Sequence, residues 1–224
     1  MAFAQRGGAG GKSLCSPWME AVDSVLQCGR SGRGSWNRTG EAGGRGCENG
    51  PDVGTGKTCI SVRFSAGGHV AASLGVLWNE PEIFSKNQAE SIRPDGLILG
   101  YPVISAGKWA HRGSFEMLAG DDLEKQQFFS LENHVDQETP PVFLWHTAED
   151  PTVPVENSLL FVKQLSKYKI PFEYHVYPFG KHGLSLATDE VAEPDKERFA
   201  DPHVAGWMNL CGEWMDEMTA GRKK

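Results

Sequence analysis

The run Cys59-Ile60-Ser61-Val62-Arg63-Phe64-Ser65-Ala66-Gly67-Gly68 decides how the chain is read. Cys59 to Val62 is a short apolar strand candidate, and His69 to Trp78 continues as a helix-like run. Ser65 therefore sits where a strand turns directly into a helix. Such a turn folds the backbone sharply back on itself, and only small neighbours such as Ala66 and Gly67 leave room for it.

Outward from this point the pattern stays regular. Gly96 to Val103, Pro141 to His146 and Phe172 to Tyr177 read as three further buried strands. Between the last two, Leu159, Val162, Leu165 and Tyr168 recur at helical spacing, and Val204, Trp207, Cys211, Trp214 and Met218 mark a final amphipathic helix. Strands alternating with helices imply an α/β fold: a parallel sheet with helices on both faces, in three layers. The stretch from Ser105 to Thr139 interrupts the alternation with Trp109, His111, Phe115, Phe128 and Phe129 in a mixed polar setting. Its length and place suggest a lid-like insertion on the ligand side of the sheet.

A serine hydroxyl is a poor nucleophile until an imidazole can take its proton, and that imidazole needs a carboxylate to fix its tautomer. Asp150 follows the strand ending near His146 and opens the rigid loop Asp150-Pro151-Thr152-Val153-Pro154. Glu149 is a fallback acid, pointing away from whatever Asp150 faces. His182 follows the strand Phe172 to Tyr177, between Gly180 and Gly183. The chain order Ser65, Asp150, His182, each just beyond a separate strand, is the order of an α/β-hydrolase triad. The amide of Ala66 is then the candidate oxyanion donor, aided by the start of the following helix. One feature departs from the G-x-S-x-G pattern: Arg63 stands at its first position, where a side chain is expected to crowd the turn.

The chain changes character before residue 58. Residues 1–57 are rich in Gly, Arg, Ser and Asn and poor in large aliphatic side chains, so they are expected to be poorly ordered or unrelated to the rest. Only Pro17 to Leu26 has a helical apolar face there. The segment holds seven basic and five acidic residues, too slight an excess for an RNA-binding tail. Gly54-Thr55-Gly56-Lys57-Thr58 resembles a phosphate-binding loop, but Pro51 occupies the position of its first glycine. The formal net charge of -7 argues against a nucleic-acid or anionic-lipid partner. No apolar run is long enough for a transmembrane helix, and the N-terminus lacks a secretory signal, so a cytoplasmic location is expected. The five cysteines contain no CxxC pair, and neither a metal nor an organic cofactor is implied.

The segments Phe64 to Ala72, Arg93 to Gly107, His111 to Phe115, Ser130 to His134, Thr139 to Ser158 and Tyr177 to Leu186 resemble bacterial carboxylesterases related to acetyl and acetyl xylan esterases. The resemblance covers about residues 59 to 218. It implies a nucleophile at Ser65, an acid at Asp150, a base at His182, and removal of short acyl groups from alcohols and sugars. Trp109, His111, Phe115 and His146 become candidates to line the substrate region. Such esterases have a longer N-terminal half with further strands and a glycine-rich loop, which residues 1–57 do not match. The expectation is thus an N-terminally truncated α/β-hydrolase domain over 58–224. Its alternative is an inactive hydrolase-like protein.

Overall fold

A computed structural model describes residues 59–81, 83 and 92–220. The glycine-rich arm, its expected helix at 17–26 and the stretch from Gly54 to Lys57 lie outside the described residues.

Among the described residues, four strands form one sheet in the order β1 (Ile60–Phe64), β2 (Gly96–Gly100), β3 (Val142–Thr147) and β4 (Phe172–Tyr177), every neighbouring pair parallel. Parallel strands demand crossovers. Helix α1 (Ser65–Val76) follows β1, and α2 (Arg112–Ala119) and α3 (Leu123–Phe128) lie between β2 and β3. Helix α4 (Glu156–Tyr168) links β3 to β4; the short α5 (Pro202–Ala205) and the longer α6 (Trp207–Thr219) follow β4.

Alternation along each strand divides the core into two faces. Leu97, Leu99, Val142 and Leu144 pack with Ala71 and Ala72 of α1 and Phe161 and Leu165 of α4. Ile98, Phe143 and Trp145 point the other way, to Trp207, Cys211 and Trp214 of α6. Trp145 and Trp207 stack with ring centroids 5.4 Å apart. Both β2 and β3 are buried along their whole length, as expected for strands covered on both sides.

Several boundaries differ from those read in the sequence, each for a local reason. The second strand ends at Gly100, not Val103, because Tyr101 takes φ +38 and turns the chain out of the sheet. The first strand runs on to Phe64, and the helix begins at Ser65 itself. On α4 the apolar stripe is rotated: Leu159 is 49% exposed, while Asn157 and Ser158 face inward. Those two polar residues have buried hydrogen-bonding partners, described below, which fix the helix about its axis.

Candidate active site

Ser65 begins α1 with φ +54, a left-handed conformation unusual for a residue with a Cβ. The turn lifts its side chain off the sheet edge, as strand-to-helix turns of this kind do. Space is tightest at Gly68, where a Cβ would fall 2.9 Å from Pro102 Cβ and 3.1 Å from its Cα. Gly67 is less constrained: a Cβ there would lie 3.7 Å from Arg63 Cδ, an ordinary contact. Arg63 therefore does not crowd the turn. Its stem runs beside Gly67, and its Nη1 donates to the Val62 carbonyl at 2.8 Å.

Ser65 Oγ lies 2.7 Å from His182 Nε2, and His182 Nδ1 lies 2.6 Å from Asp150 Oδ2. An ionised carboxylate only accepts, so Nδ1 carries the proton and Nε2 presents its lone pair to the serine hydroxyl. This is the hydrogen-bonded chain of a serine-hydrolase triad. Burial alone would raise the Asp150 pKa; the donors of His146, His182 and the Val153 amide outweigh it and hold the carboxyl well below the usual carboxylate range. Both its oxygens are engaged: Oδ1 accepts the amides of Thr152 and Val153, each at 2.9 Å.

The loop bearing His182 is tied down from several elements. Thr147 Oγ1, at the end of β3, donates to the Gly180 carbonyl at 3.0 Å. Arg198 Nε donates to the His182 carbonyl at 2.6 Å, and its guanidinium is paired with Glu193. Gly183, at φ +88, lies against that guanidinium; a Cβ there would meet Arg198 Cζ at 2.7 Å. Tyr101 sets its ring edge-on to the imidazole at 4.9 Å and accepts the Ser185 amide at 2.9 Å. Burial pushes the Tyr101 phenol up to about 12, so it stays neutral beside the triad.

The other candidates divide. Ala66 is exposed in the first turn of α1, and Phe64 at the N-cap has no side-chain oxygen to occupy the amides there. Trp109 and His111 are half-buried; the Trp109 carbonyl accepts from Asn157 at 2.9 Å, and His111 Nδ1 lies 2.8 Å from Ser114 Oγ. Phe115 and His146 correct the sequence reading. Phe115 is 1% exposed, its ring packed on His69 at 5.4 Å, and His146 is fully buried beneath Asp150. Neither side chain offers a surface to a ligand.

Sequence reasoning missed Tyr101, Asn157 and Arg198. Asn157 accepts the amides of Ile104 and Ser105 at 3.0 and 2.9 Å and donates to the carbonyls of Trp109 and Pro154. It binds the loop after β2 to the start of α4. Polar residues at the inward positions of an otherwise apolar helix were the available signal.

The profile of the prolyl oligopeptidase family matches residues 65–202, the span from the nucleophile turn to the first residue of α5. The chain belongs to the prolyl oligopeptidase family. A curated relative, endo-1,4-beta-xylanase B of Butyrivibrio fibrisolvens, is 46% identical over 138 residues, covering 60% of this chain and 22% of the relative. Among solved structures, an acetyl ester-xyloside bifunctional hydrolase from Caldicellulosiruptor lactoaceticus aligns with a TM-score of 0.60 and 40% identity. That alignment covers 70% of this chain and 56% of the other. The carboxylesterase Cest-2923 from Lactobacillus plantarum WCFS1 aligns with a TM-score of 0.60 and 31% identity, covering 71% and 58%. The chain thus spans little more than half of these structures and about a fifth of the curated relative. Among the described residues, no helix is long and apolar enough to cross a membrane.

Proposed function

We propose that this member of the prolyl oligopeptidase family is a serine carboxylesterase that removes short acyl groups, acetyl foremost, from alcohols or sugar hydroxyls. The observation that carries the reading is the unbroken relay from Ser65 Oγ through His182 to Asp150, at 2.7 and 2.6 Å. The names of its relatives point the same way: an acetyl ester-xyloside hydrolase and a carboxylesterase are among them.

In this reading His182 Nε2 takes the Ser65 proton as Oγ attacks the ester carbonyl. The negative oxygen faces the Ala66 amide at the positive end of α1. The imidazolium then returns its proton to the departing alcohol, leaving an acyl-serine. Water, deprotonated by His182, attacks that acyl group; the carboxylic acid leaves and Ser65 regains its proton. Trp109 and His111 flank the acyl or alcohol group. Asp150 stays ionised throughout and stabilises the imidazolium.

A fluorophosphonate probe together with a series of p-nitrophenyl esters tests the assignment. Purified monodisperse protein is expected to label at Ser65 and to hydrolyse acetate faster than octanoate, and Ser65→Ala to abolish both. One alternative is a hydrolase-like protein in which the relay forms but turns over no ester. Folded protein that takes up no probe would establish that alternative.

A further inference from the structure

A second imidazole stands against the far side of the Asp150 carboxylate. His146, in β3, is fully buried. Its Nε2 lies 2.9 Å from the Val153 carbonyl oxygen and 3.4 Å from Asp150 Oδ2, while its Nδ1 lies 2.8 Å from Ser158 Oγ. Carbonyl and carboxylate oxygens only accept, so Nε2 bears the proton, donated to the Val153 carbonyl within 3.4 Å of Oδ2. Nδ1 in the neutral ring is then an acceptor, and the Ser158 hydroxyl donates to it. Asp150 Oδ2 is thus approached by two N–H groups, from His182 on one side and His146 on the other.

We infer that His146 is a positioning residue for the triad: it fixes Asp150 Oδ2 and tempers the bond from that oxygen to His182. The inference rests on Ser65, His182 and Asp150 being the working triad. With His146 in place, part of the carboxylate's charge is drawn toward β3. Without it, the whole charge of Oδ2 falls on His182, which then holds a proton more strongly. The other groups facing this array come from separate elements. Tyr101 faces the His182 ring and Arg198, paired with Glu193, holds the His182 carbonyl. The phenol of Tyr174 in β4, pushed up by burial, stands beside Ser158.

Three substitutions isolate the role. His146→Phe keeps the volume of a ring and removes the donor, whereas His146→Gln can place an amide N–H near the site of Nε2. Ser158→Ala strips only Nδ1 of its partner. In His146→Phe the acid limb of the kcat/KM profile is expected to move up by about one pH unit, with kcat down about tenfold. The far-downfield proton resonance of His182 Nδ1–H should shift as well. His146→Gln should restore both readouts, and Ser158→Ala should move them in the same direction by less. A purely structural role would lower the melting temperature without displacing either the limb or the resonance. Should His146→Phe not fold, Ser158→Ala and the wild-type protein decide the matter. Nitrogen-15 histidine spectra of wild-type protein are expected to show His146 protonated at Nε2. A proton on Nδ1 instead, or an unmoved limb and resonance in folded variants, overturns the proposal. Failure of Ser65 to take the fluorophosphonate would sink the triad reading separately, because the resonance reports on the contact between His146 and Asp150 without turnover.

Discussion

Ser65 is held where its side chain can reach His182 at the expense of an unfavourable backbone conformation, φ +54. A left-handed residue with a Cβ costs roughly 1–2 kcal/mol relative to a relaxed one, and glycine avoids that cost. Ser65→Gly is therefore expected to stabilise the fold by about 1 kcal/mol in urea melts while eliminating probe labelling; Ser65→Ala should remove labelling with no such gain. At this scale the triad was legible because each of its members leaves a mark in the order of residues. A serine followed by small neighbours ends one strand, an aspartate precedes a proline after another, and a histidine sits between glycines after a third. His146 left no such mark. It lies in a strand buried on both faces, where an uninterrupted apolar run hides which side each residue takes. Arg198 was invisible for a different reason. Its partner, the His182 carbonyl, is brought to it by irregular chain without periodicity.

Between elements, the site depends on two connections. Asn157 joins α4 to the loop after β2 with both its oxygen and its nitrogen in use. Asn157→Leu preserves the volume but leaves two amides and two carbonyls without this partner in a buried setting. Destabilisation of about 3 kcal/mol is expected in denaturant melts. The second connection is the contact of Gly183 with Arg198. A methyl group there meets the guanidinium and also a φ of +88, so Gly183→Ala should destabilise by about 1–3 kcal/mol. Because Arg198 holds the His182 carbonyl, ester hydrolysis should fall more than the loss of folded protein explains, measured on the soluble monodisperse fraction. The strands and the last helix were readable from apolar periodicity, whereas the rotation of α4 was not. Leu159 fitted a helical stripe, but the orientation is set by Asn157 and Ser158, whose partners in the loop after β2 and in β3 are more than ten residues away in sequence.

Across the whole molecule, two buried groups make stability depend on pH in the same direction. His69 in α1 donates through Nδ1 to the Val103 carbonyl at 3.1 Å, and its Nε2 meets no partner among the described residues. Burial lowers its pKa to about 4 from an ordinary 6.5. In the folded state the ring stays neutral between those values, while the unfolded chain takes up a proton. Its contribution is therefore present above pH 6.5 and lost as pH falls toward 4. Asp150, held below the carboxylate range, adds a loss that begins only below about pH 4. Unfolding free energy is expected to drop by about 2 kcal/mol between pH 7 and 5. His69→Leu should flatten that slope even as it lowers stability overall, by taking the donor from Val103. An unchanged slope would place the titrating group elsewhere.

The covering of Phe143 and Trp145 by Trp207 and Trp214 has a bearing on how the molecule comes into being. A ribosome delivers α6 after the four described strands, so the aromatic side of their sheet lacks this cover until the helix has emerged. Until that helix is in place the nascent chain carries a sticky surface, and α6 is the element that seals it.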